Sequence, residues 1–200
     1  SLICSVDEED FMRGVEAAIG AGWVGASEWV LDTEPTDGQL QIAHKGRTWF
    51  EVTMAGVTAH ASQPWKGADA IAAMAECVSR IRTAILAQPE HAELGRSTVT
   101  FGQVEGGYRP YVVPDACKVW IDMRLVPPCS TSVAEQIVQR AIAEAEHIAV
   151  LNEEVDAEYA RLAKLHDTPE AEIRKVLSRD AVASAITSQK VQRFLIDHAN

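Results

Sequence analysis

Thr48-Trp49-Phe50-Glu51-Val52-Thr53-Met54, continuing through Ala55-Gly56-Val57-Thr58-Ala59-His60-Ala61-Ser62-Gln63-Pro64, decides how this chain is read. Phe50, Val52 and Met54 alternate with polar neighbours, the period of a strand with one buried face. That strand delivers His60 into a turn punctuated by Gly56 and Pro64. Ala59 and Ala61 flank the imidazole with small side chains, leaving room for another chain or a ligand to approach. A loop histidine can equally be a plain surface residue, so its company decides.

Downstream, Ile71, Met74, Ala75, Val78, Ile81 and Ile85 recur at helical spacing and stop before Pro89. Thr98 to Val104 reads as a second strand broken by Gly106-Gly107, and Cys117 to Arg124 alternates cleanly as a third, ended by Pro127-Pro128. Ser132 to Ile148 returns as a helix through Val133, Ile137, Val138, Ala141 and Ile142. Strands with two helices on one face make a two-layer α+β sandwich over residues 46–149. Residues 150–200 read as helices outside the sheet: 153–163, a second capped by Thr168-Pro169-Glu170, and 181–199.

Upstream, residues 1–45 have an α/β texture. Leu2 to Val6 reads as a buried strand running into Asp7-Glu8-Glu9-Asp10. A helix follows through Phe11, Val15, Ala18 and Ile19, and Glu28 to Asp32 reads as a second strand closed by Thr33-Glu34-Pro35. Two parallel strands joined by a helix would carry Glu8, Glu9 and Glu34 to one edge, where α/β folds place their sites. The competing readings are a solvated helix N-terminus for the first acids, favoured by the helix dipole, and an ordinary turn for Glu34. The abrupt apolar start reads as part of something longer.

A net charge of −11 argues against nucleic acid or an anionic membrane as the main partner, since both attract an excess of Lys and Arg. Cys4, Cys77, Cys117 and Cys129 are widely spaced without a CxxC pair, which points to reduced thiols and a cytoplasmic setting. No apolar run reaches the about 18 residues of a membrane span.

Asp7-Glu8-Glu9, Thr33-Glu34-Pro35-Thr36, the Gly56 to Ser62 turn, and Val113-Pro114-Asp115 followed by Asp122-Met123-Arg124 together resemble one family. It is the co-catalytic zinc amidohydrolase family of aminoacylase, carboxypeptidase G, acetylornithine deacetylase and succinyl-diaminopimelate desuccinylase. The resemblance implies a partial catalytic segment at 1–45, a lid and dimerisation domain at 46–149 that forms a homodimer, and small N-acyl amino acid or peptide substrates. It implies Glu8 as the general base acting on a metal-bridging water, with Glu9 and Glu34 as zinc ligands. His60 corresponds to the lid histidine that donates a hydrogen bond to the oxyanion in the partner's site, and Arg109 and Tyr111 would face substrate. The family often has Asn where Tyr111 stands. Its His-x-Asp and bridging Asp ligands, and its last His, have no counterpart here, so the resemblance implies two zinc ions in the intact enzyme but an incomplete cage and little activity in this chain alone.

Residues 150–200, with the preceding helix from about 134, are similar to the helical C-terminal arm of trigger factor. This opens the alternative of a non-enzymatic binding module, with a chaperone-like arm on a dimerisation domain.

Overall fold

The computed structural model describes residues 2–8, 11–27 and 29–198. The chain forms two compact units, 1–42 and 43–200, each taken by itself below.

In the first unit the one regular element among the described residues is a helix, α1 (Arg13–Gly20), which buries Ala18. The strands expected at 2–6 and 28–32 do not form among the described residues. Leu2, Trp29, Val30 and Leu31 are exposed instead. A strand exists only as part of a hydrogen-bonded ladder, and an apolar run states what wants burying without supplying the neighbour that buries it. Among the described residues the shared strand edge expected for the acids does not form, for the same reason.

The second unit is built on three strands: β1 (Gly46–Ala55), β2 (Thr98–Gly106) and β3 (Ala116–Leu125). β3 lies in the middle and pairs antiparallel with both others, so the order is β1-β3-β2. Phe50, Ile121 and Phe101 form one row across the sheet, and Val52 pairs with Val119. β2 carries a bulge at Gly102, where the register shifts between Phe101 and Gln103.

One face of this sheet is covered by α2 (Ala70–Leu86) and α3 (Thr131–Ala145). The Asp69 carboxylate caps α2, accepting from the Ile71 and Ala72 amides at 3.0 and 2.9 Å. Its buried stripe is Ala70, Met74, Cys77, Ile81 and Ile85, which meets the strand residues Val52, Met54, Val119, Ile121 and Met123. Alternation along β3 is complete: Cys117, Val119, Ile121, Met123 and Leu125 are buried, and the residues between them are not. This is the two-layer α+β arrangement that the sequence periodicity predicts.

Three further helices follow: α4 (Asn152–Leu165), α5 (Glu170–Val176) and α6 (Arg179–His198). α6 returns to pack on α3, and Val191 is fully buried in the core of the sheet domain. Burying such a side chain contributes about 1.5–3 kcal/mol. Lys190 donates to the Ala149 carbonyl at 2.7 Å and to Glu154 at 2.6 Å. Val155, Tyr159, Val182 and Ile186 make a second small core. The Tyr159 hydroxyl donates to the Leu177 carbonyl at 2.8 Å, and Asp156 accepts from Arg174 and Arg179. The segment is helical and outside the sheet, as its sequence predicts, and these apolar residues turn onto this chain's own core. No helix among the described residues is long and apolar enough to cross a membrane.

Candidate active-site loop

His60 sits on a loop knitted to the rest of the domain by backbone bonds. After β1, the Gly56 amide donates to the Asp115 carbonyl at 2.7 Å, and Val57 and Ala68 exchange two bonds of 2.9 Å each. The Ala61 amide donates to the Tyr111 carbonyl at 2.9 Å, and the Val113 amide to the Ala59 carbonyl at 2.8 Å. His60 thereby forms a bridge opposite Val112. The β1-to-α2 connection and the β2-to-β3 connection are thus zipped together, and the histidine stands exposed on that seam.

Two glycines make the seam possible. A Cβ on Gly56 would lie 2.3 Å from the Ala68 carbonyl oxygen and 2.7 Å from that of Pro114. One on Gly67 would lie 2.4 Å from the Val57 oxygen. Only backbone without a side chain passes here. Val113-Pro114-Asp115 acquires a physical meaning from the same bonds. Val113 is buried and ties Ala59, Pro114 accepts from Ala70 at 3.1 Å, and Asp115 accepts from Gly56.

The His60 side chain is held from within the loop. Its Nδ1 lies 2.8 Å from the Ser62 hydroxyl, and the Ser62 amide donates to the same nitrogen at 3.2 Å. Ser62 is thus a support for the imidazole, and its spacing two residues after the histidine is the trace this leaves in the sequence. Arg109 and Tyr111 are exposed on the facing connection. Tyr111 reaches the seam through its main chain, so the structure brings His60 and Tyr111 together as backbone neighbours.

Asp122-Met123-Arg124 has a different use. Met123 is core, whereas Asp122 on the opposite sheet face accepts from Trp49 Nε1 at 2.6 Å and from Arg124 Nε at 2.7 Å. Burial alone would raise the Asp122 carboxyl, but the hydrogen bonds from Arg124 and Trp49, with the Arg124 and Arg47 charges, hold it below the usual range. Burial pushes the Cys77 thiol up to about 12, and raises Cys117 and Cys129. All four cysteines are free.

Glu8 and Glu34 are exposed residues of the first unit, and Glu9 lies outside the described residues. Among the described residues no three His, Cys, Asp or Glu side chains converge into a group able to hold a metal ion. Two carboxylates make too small a donor set for a four-coordinate zinc site, so the described residues do not fit the zinc centre by themselves. An open groove of about 490 Å³ lies between α2 and α3, lined by Arg80, Gln88, Arg140 and Glu144 among others, and contains none of the predicted site residues.

Residues 42–150, more than half of the chain, match the peptidase dimerisation domain of the M20 family. This chain belongs to the M20 peptidase and amidohydrolase family, whose members are in general metal-dependent. A probable carboxypeptidase of Aspergillus clavatus is 35% identical over 124 residues, covering 59% of this chain and 27% of the relative. One from Aspergillus niger is 30% identical over 176 residues, covering 83% of this chain and 42% of the relative. The chain therefore spans less than half the length of these relatives. Among solved structures, the aminobenzoyl-glutamate utilization protein of Klebsiella pneumoniae is similar at 26% identity and a TM-score of 0.42, covering 52% of this chain and 26% of that one.

Proposed function

We propose that this chain supplies the dimerisation lid of a zinc-dependent amidohydrolase or metallopeptidase acting on N-acyl amino acids or small peptides in the cytoplasm. The division is a catalytic-type segment at 1–45, the lid at 46–149 and a helical segment at 150–200. The observation that carries the reading is the His60 seam: an exposed imidazole whose main chain is fixed on both sides by bonds to a second connection. Such a fixed donor suits an oxyanion, because a pre-oriented group costs no reorganisation when charge develops, and removing one costs about 10²–10³ in kcat. The exposure suits a donor that serves the site of a partner subunit in a homodimer.

Arg109 and Tyr111, on the facing connection, are the proposed substrate contacts. Glu8 is the proposed general base, and Glu9 and Glu34 the proposed zinc ligands. Glu9 and Glu34 are too few donors to close a zinc cage by themselves, so the isolated chain is expected to hydrolyse little. The carboxypeptidases named among the relatives support a peptide-like substrate.

The test is purification of the full chain, followed by its mass in solution, its zinc content and hydrolysis of N-acetyl amino acids. The expected result is a dimer with less than stoichiometric zinc and no turnover above background. A monomer at micromolar concentration refutes the lid dimer, and zinc-dependent turnover refutes the inactivity. His60→Ala should leave dimer mass unchanged and lower the thermal midpoint by only about 2–4 °C, the worth of one hydrogen bond, since the loop is otherwise held by backbone bonds. A variant that dissociates or unfolds would make His60 structural.

A further inference from the structure

We propose that Ser62 is the positioning residue of His60, fixing its ring in one orientation and in the tautomer that carries the proton on Nε2. The inference rests on the reading of His60 as a hydrogen-bond donor and names what makes it one. A backbone amide can only donate. With the Ser62 N–H directed at Nδ1 from 3.2 Å, that nitrogen must present its lone pair. In a neutral imidazole the proton then sits on Nε2, across the ring from the loop. The Ser62 hydroxyl can donate or accept, and with Nδ1 already an acceptor it donates, at 2.8 Å. The amide therefore selects the tautomer, and the hydroxyl holds the ring against rotation about its side-chain bonds. The consequence is functional: an Nε2–H facing outward is a donor available to a substrate oxygen, whereas the other tautomer would offer a lone pair and repel it.

The compact unit of residues 43–200 contains two references. His91 Nδ1 accepts from the Glu93 and Leu94 amides at 3.3 Å each, so it too should carry its proton on Nε2. His44 Nδ1 lies 3.0 Å from the Lys45 carbonyl oxygen, which can only accept, so His44 should carry its proton on Nδ1.

Long-range ¹H–¹⁵N correlation of the imidazole nitrogens in the full chain, with the rings neutral, reads these states directly. The chain unfolded in urea supplies the intrinsic ratio of the two forms. Folding should shift His60 toward Nε2–H by about five-fold, equivalent to the net worth of one hydrogen bond. His91 should move in the same direction and His44 in the opposite one. A His60 ratio that is unchanged by folding, or moves toward Nδ1–H, overturns the assignment. Ser62→Ala keeps the amide, and so should keep the tautomer, while the couplings across the His60 Cα–Cβ bond collapse to a rotamer average. Ser62→Thr, which retains a hydroxyl, should restore a single rotamer. If Ser62→Ala leaves one fixed rotamer, the hydroxyl holds nothing and the positioning role is refuted. None of these readouts uses activity. An Nε2–H tautomer combined with a dimeric full-length enzyme indifferent to loss of this histidine would defeat the functional reading and leave the Ser62 assignment intact.

Discussion

Replacing Gly56 by alanine tests whether the His60 seam is a packed structural joint. The added Cβ would fall 2.3 Å from the Ala68 oxygen, 2.7 Å from the Pro114 oxygen and 3.1 Å from the Ala70 nitrogen. All three are main-chain atoms, so no side-chain rotation relieves the clash. Overpacking alone costs about 1–3 kcal/mol. Relief requires separating the connections, which strains the Gly56 to Asp115 bond at 2.7 Å and the Ala70 to Pro114 bond at 3.1 Å. Each such bond contributes about 1 kcal/mol net. The sum is roughly 3–5 kcal/mol, or a fall in Tm of about 6–20 °C for a chain of this size. Gly102→Ala is the control, because nothing lies within 4 Å of its added Cβ. It should change stability by less than about 1 kcal/mol. Thermal unfolding followed by circular dichroism measures both, and amide exchange at Val57, Ala61 and Val113 locates the damage. If Gly56→Ala melts with Gly102→Ala and those amides stay protected, the two connections are not zipped as described.

Asp122 is held below its unfolded value, so the stability it contributes is present above about pH 4 and is lost as pH falls from there through its folded value. Asp122→Asn should therefore flatten the pH dependence of stability below about pH 4, as read from urea midpoints across an acid series. An alkylating reagent applied to the native chain near neutral pH should label Cys4 and spare the buried Cys77, Cys117 and Cys129 until denaturant is added, as peptide mass spectrometry would show. Tyr159→Phe removes the bond to the Leu177 carbonyl while keeping the ring under Arg174, and should cost about 1 kcal/mol in chemical denaturation.

The second unit was readable because its elements announce themselves locally. Alternation in Cys117 to Arg124 and the stripe from Ile71 to Ile85 are periodicities that only a strand and a helix satisfy, and both elements form there. Leu2 to Val6 and Trp29 to Leu31 were not readable in this way, because a short apolar run carries no period and no address for its partner strand. The fold of α6 onto α3 was hidden for a related reason. Its sequence fixes a helix, but nothing local states which surface Val191 will fill.

The candidate site divides along the same line. His60 could be found because glycine, alanine and proline around one imidazole are a local signal. Its scaffold could not, because Gly56 to Asp115, Ala61 to Tyr111 and Val113 to Ala59 are main-chain bonds between segments about fifty residues apart, to which side-chain identity contributes little. Gly56 and Val113-Pro114-Asp115 leave a trace in sequence only as motifs; the structure turns them into the joint between two connections. That conversion carries a mechanistic consequence. A loop fixed through main-chain bonds keeps its position when neighbouring side chains change, so the exposed Arg109 and Tyr111 side chains can be replaced without moving His60. Substitutions of those two side chains should therefore leave amide protection at Ala61 and Val113 unchanged, whereas Gly56→Ala should reduce it.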